Sequence, residues 1–175
     1  NTPAAYYTNT LFDPELRPNS RTSYEGGLDL RFIQNRLGLD LTYFTYINGP
    51  LIFSKPLSQT TGYTGYTTNA IKTKTNGVEL TLTAQPVKSV SSDGFNWNIA
   101  VNWSTYKDRY LELPPGQTTF NTFFKVGDRT DKFYSQAFVR TQDGQIVNDN
   151  GGRPLRYPVN QFLGYGNPDF MWGVN

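Results

Sequence analysis

The sequence predicts an all-β protein of antiparallel strands, with the length and pattern of a transmembrane β-barrel wall, and three observations lead there. The 175 residues are polar on average, with 37% hydrophobic residues and a mean hydropathy of −0.55, yet 15% are aromatic and only 17% charged. A chain polar on average but rich in rings, Thr, Asn and Gly suits strands with one apolar and one wet face. Several segments alternate apolar and polar residues for roughly ten positions or more, whereas soluble strands average about 5 to 6. The connections alternate short with long, as periplasmic turns and outer loops do in such barrels.

The first strand is expected over residues 22–33, where Tyr24, Gly26, Leu28, Leu30 and Phe32 alternate with Ser23, Glu25, Gly27, Asp29 and Arg31. The alternation restarts over residues 37–47, with Leu37, Leu39, Leu41 and Tyr43 on one side. A two-residue turn at Gln34 and Asn35 places Phe32 opposite Leu37, Leu30 opposite Leu39 and Leu28 opposite Leu41. The same register sets Asp29 opposite Asp40, a repulsion that diagonal Arg31 relieves. Residues 48–69 are rich in Gly, Pro, Ser, Thr and Tyr and read as a long exposed loop.

A second hairpin is expected from strands over 76–85 and 95–106, joined by a turn from Pro86 to Gly94. Its return strand sets Phe95, Trp97, Ile99, Val101 and Trp103 against Asn96, Asn98, Ala100, Asn102 and Ser104. From Leu111 to Asn167 the pattern fades into a second long loop, apart from Asp143-Gly144 and Asn150-Gly151, turn signals that would close a small hairpin around Gln145 to Asn148. Alternation begins again near residue 170 and the chain stops, so the sequence reads as a fragment. Rings sit near strand ends on the apolar face. Phe32, Phe95 and Trp97 lie beside the short turns and Tyr24, Tyr43 and Trp103 toward the long loops, where two interfacial girdles would fall.

Composition also excludes. The net charge is +2 with scattered Lys and Arg, which leaves no basic stripe for nucleic acid. Without His or Cys there is no His-dependent triad and no Cys/His metal site, and no cofactor is expected. Glu25, Asp29 and Asp40 share a face in the manner of a glycosidase carboxylate pair, but they read better as solvated residues of a wet face, so no catalysis is assigned. Residues 143–152 lack the alternating oxygen ligands of a calcium loop, and Asn102-Trp103-Ser104 lies inside a strand, where a glycosylation site is out of place. Candidate ligand or partner contacts are the loop rings Tyr63, Tyr66, Phe120, Phe123, Phe124, Tyr134 and Tyr157, set against the alternative that the loops pack on one another.

Leu16-Arg17-Pro18-Asn19-Ser20-Arg21-Thr22-Ser23-Tyr24-Glu25-Gly26-Gly27-Leu28 resembles the Leu-x-Pro-Glu-x-x-x-x-Tyr-Glu-x-Gly-Leu signature of TonB-dependent receptor barrels, with Asn19 in place of the usual Glu and Gly26 in place of an aliphatic residue. Asn35 to Tyr43, Pro56 to Tyr63, Asn76 to Leu80, Trp97 to Trp103 and Gly166-Asn167-Pro168-Asp169-Phe170 look like the SusC/RagA branch. The resemblance runs from Leu16 to Asn175 and makes residues 1–175 a partial receptor barrel domain without its plug. It implies a barrel of about 22 strands with a plugged lumen in the bacterial outer membrane. It also implies import of glycans or peptides, power from TonB through segments absent from this sequence, a SusD-like surface lipoprotein as cap, and outer-membrane lipid and lipopolysaccharide as surroundings. The competing reading is a secreted carbohydrate-binding β-sandwich.

Overall fold

The computed structural model describes residues 8–91 and 93–175. Its strands are β1 Thr10–Phe12, β2 Arg21–Phe32, β3 Leu37–Pro56, β4 Gly65–Val87, β5 Trp97–Glu112, β6 Lys132–Ser135, β7 Gln161–Tyr165 and β8 Met171–Val174. The large sheet has the order β2-β3-β4-β5-β8, antiparallel throughout, with short β1 laid parallel to the start of β4. β6 and β7 form a separate two-stranded sheet. The only helical element among the described residues is the single 3-10 turn Gln59–Thr61.

The first hairpin pairs Phe32 with Leu37, Leu30 with Leu39 and Leu28 with Leu41, as the alternation requires. Its turn carries positive φ at Gln34 and Asn35 and closes with Arg36 N–H donating to the Ile33 carbonyl at 3.1 Å. Positive φ at both central residues is what lets a two-residue turn follow the strand twist. Asp29 does face Asp40, and Arg31 bridges both at 2.9 and 2.8 Å.

Register then carries one chemistry across the sheet. One row joins Leu28, Leu41, Leu80, Trp103 and Trp172, and the next joins Leu30, Leu39, Leu82, Val101 and Val174. On the opposite face the rows read Gly27, Thr42, Glu79 and Ser104, then Asp29, Asp40, Thr81 and Asn102. The apolar face is uncovered: Leu28 is 51% and Trp172 68% exposed. On the polar face Gly77 lies under the Phe44 ring, where a Cβ would meet ring carbon at 2.2 Å. A larger side chain there would push the ring off the strand.

Two expectations need correction. Residues 48–69 are not an exposed loop, because β3 continues to Pro56 and β4 begins at Gly65, which leaves only 57–64 as the connection. The missing alternation has a physical source: register shifts at Asn48/Leu51 and Leu51/Ile52 break the period, with Gly49 at φ 115 and the Gly49–Pro50 bond cis. Nor are residues 111–167 one loop. Besides β6 and β7, segments 137–141, 145–149 and 153–157 pair around a triangle, with bridges Phe138–Arg156, Arg140–Ile146 and Asn148–Pro154. Val139 N–H donates to the Leu155 carbonyl, Val147 to Val139 and Leu155 to Val147, each at 2.9 Å. The Gly144 and Gly152 turns, at φ 84 and 79, make two hairpins that share their middle segment, where one was expected.

Candidate functional site

Above the apolar rows the same strands continue as a long hairpin. β3 has 20 residues and β4 has 23, where about 9 to 11 suffice to cross a bilayer. The buried residues gather in this upper part: Ala70 at 7%, Ile71 at 6%, Thr73 at 8% and Thr75 at 2% exposed.

Chain 8–20 seals one side of this extension. The Asn69 side chain accepts Arg17 N–H at 2.6 Å and donates to the Arg17 carbonyl at 2.8 Å, imitating a strand neighbour. Asn19 Oδ1 accepts Ile52 N–H at 2.8 Å, and Gly49 N–H donates to the Ser20 carbonyl at 2.8 Å, so the bulge groups of β3 are satisfied. Asn19, the departure from the receptor signature, therefore has a structural task. Asp13 sits below the ordinary carboxylate range, chiefly because the Thr68 hydroxyl donates to it.

On the other side a run of rings holds the loops to the wall. Phe53 packs on Phe120 at 5.7 Å, Tyr110 on Phe120 at 5.9 Å and on Phe124 at 5.4 Å, Phe123 on Tyr134 at 4.6 Å, and Tyr134 on Phe162 at 5.7 Å. Burial, and secondly the nearby Asp108 charge, raises the Tyr110 phenol above its usual value. Asp108 itself joins the wall to the loops by accepting the Thr75 hydroxyl at 2.8 Å and the Thr130 hydroxyl at 3.0 Å.

A polar clamp completes the assembly. Arg129, 3% exposed, forks onto Asp131 at 2.8 and 2.7 Å, reaches Asp169 at 2.6 Å and the Asn167 carbonyl at 3.0 Å, and stacks on Tyr165 at 3.9 Å. The guanidinium holds the Asp131 carboxyl below its ordinary range, and an Asn167 N–H bond adds to the effect. Asp128 is also lowered: burial opposes the shift, and the bonds from Lys132 and the Lys125 N–H, with the charges of both lysines, together outweigh it. Sequence reasoning missed Arg129, Asp131 and Asp169. The dense run Asp128-Arg129-Thr130-Asp131-Lys132, in a chain only 17% charged, was the available signal.

The structure thus separates the seven candidate rings. Phe120, Phe123, Phe124 and Tyr134 come together in the packed run. Tyr63 at 37% and Tyr157 at 39% exposure stand apart from it, and Tyr66 lies beneath the Lys55 ammonium at 5.3 Å. No group of three or more metal-binding side chains occurs among the described residues.

No family model matches the sequence. Two curated proteins of Formosa agariphila are similar. TonB-dependent receptor P3 is 29% identical over 94 residues, 54% of this chain and 9% of that protein, and TonB-dependent receptor P39 is 25% identical over 87 residues, 50% of this chain and 8% of that protein. Among solved structures, the RagAB peptide transporter superposes with a TM-score of 0.64 over 89% of this chain and 19% of that one, at 14% identity. The RagAB peptide importer in its open-open state gives 0.69 over 93% and 19%, also at 14% identity. The chain therefore spans less than a tenth of the curated relatives and about a fifth of the solved chains. In sequence it resembles TonB-dependent receptors, and in fold it resembles RagAB.

Proposed function

We propose that this chain is part of the barrel wall of a SusC/RagA-like TonB-dependent transporter in the bacterial outer membrane, and that the transporter imports glycans or peptides. The observation that carries the reading is the in-register apolar face across β2, β3, β4, β5 and β8, uncovered on its own side and backed by a charged and hydroxylated face. A sheet with free edges and one bare apolar face needs lipid outside, water inside and further strands at both edges. A closed barrel of about 22 strands supplies all three. In a β-sandwich a second sheet packs about 10 Å away against the apolar face, whereas Leu28, Leu41, Leu82 and Trp172 are exposed here.

The upper strands and the loop assembly project on the outer side, where a SusD-like lipoprotein caps the barrel and the substrate lies between. Phe120, Phe123, Phe124 and Tyr134 build a firm base for that mouth, and Tyr63, Tyr66 and Tyr157 offer ring surface to substrate or partner. Energy comes from TonB through segments outside this sequence.

The test uses the full-length protein in its native membrane. The expected result is a heat-modifiable band, apolar-quencher access to labels at residues 28 and 41, and a stoichiometric lipoprotein cross-linked through residues 57–64 or 137–157. A soluble protein with quencher-protected labels at those positions overturns the reading.

A further inference from the structure

The outward face does not end in neutral residues. Immediately above the apolar rows, register places Tyr24, Thr45, Asn76 and Lys107 side by side, and the next row is Thr22, Ile47, Lys74 and Arg109. Lys74 and Arg109 are direct cross-strand partners, with Lys107 diagonal to Lys74. Like charges directly opposite each other on one face are destabilising. Lys74 forms no ion pair among the described residues, and the Arg109 guanidinium donates to the Gly127 carbonyl at 2.6 Å. Lys107 pairs with Asp169 at 3.6 Å, a carboxylate it shares with Arg129 at 2.6 Å. Further up, Lys72 is neutralised by Glu112 at 2.9 Å. On this face Lys74 and Arg109 thus form a like-charged pair with no carboxylate partner among the described residues, one row above Tyr24 and two above Tyr43.

The geometry points to Lys74, Lys107 and Arg109 as a binding site for the phosphate groups of an outer-leaflet glycolipid. This deepens the barrel reading and rests on it. Rings at the end of an apolar band mark the headgroup level, so the cations sit where lipid phosphates lie. An Arg fork beside a Lys point charge suits a phosphate, and an anion between Lys74 and Arg109 turns their repulsion into shared attraction. Each cation near an anionic membrane surface adds on the order of fivefold in binding.

The test places the full-length transporter, with K74Q/R109Q and a control K88Q/R36Q at the short-turn end, in phosphatidylcholine vesicles holding phosphorylated or dephosphorylated lipid A. Native mass spectrometry counts the lipid retained after extraction. The site predicts preferential retention of the phosphorylated form by the unaltered protein and the control. K74Q/R109Q should lose about 25-fold, yet be no less heat-stable in pure phosphatidylcholine. Equal retention by K74Q/R109Q overturns the site. So does equal competition by millimolar inorganic phosphate, which would mean a generic anion and not a lipid headgroup. Failure of every form to insert would instead sink the barrel reading, so the two failures are separable.

Discussion

The lower and upper parts of β3 and β4 are the same two strands in two different environments. Below, from Leu37 to Tyr43 and from Val78 to Ala84, pairing is unbroken, each face has one chemistry, and no residue but Gly38 is buried. Above, register shifts twice in β3, Ile71, Thr73 and Thr75 are buried, and one side is covered by loops. Period two is the imprint of two solvents on two faces, and where protein replaces one of them the imprint fades. The lower part is held by what surrounds it; the upper part carries its own contacts.

The largest expected effect tests that division from below. L28R together with L80R places two charges in one outward row, at about 2 to 4 kcal/mol each near the bilayer midplane. The full-length protein should lose its folded, heat-modifiable band, while T42R/T81R on the other face should keep it. Equal tolerance of both pairs would abolish the distinction between the faces.

From above, R129A strands Asp131, whose side chain is 14% exposed, whereas Asp169 is 64% exposed and keeps Lys107 at 3.6 Å. Removing one partner of a buried pair costs about 3 kcal/mol or more. Faster hydrogen exchange and proteolysis should follow within residues 117–170, with the folded band intact. Unfolding of the whole protein would show that the two parts are not independent.

G77A probes the seam between them. Its Cβ would lie 2.2 Å from Phe44 ring carbon, so the ring must leave its place over the strand, at about 1 to 3 kcal/mol for overpacking. F44A/G77A should recover part of the loss in melting temperature, and the absence of any recovery would break the assigned contact.

The smallest effect is that of pH on the clamp. Asp131 has its folded pKa depressed, so its contribution is fully present above the ordinary carboxylate value and is lost as pH falls through the lower, folded value. Proteolytic protection of residues 117–170 should be flat from about pH 8 to 5 and decline only below about pH 4, and R129A should remove that decline. A loss near neutral pH would assign the protection to other groups.

The sequence by itself determined the lower wall: the turn at Gln34 and Asn35, the pairing of Phe32 with Leu37, and the apolar rows through Leu28 and Leu30. These follow from local alternation and turn chemistry, in which neighbours in sequence are neighbours in register. The full length of β3 and β4, the triangle of segments 137–157 and the Arg129 clamp were decided only in three dimensions. Arg129 meets Asp169 across 40 positions, and Phe53 meets Phe120 through no periodicity that either segment carries. Of the seven candidate rings the sequence identified the type but not the part each takes, because whether a ring faces solvent or a second ring depends on which loop folds over it.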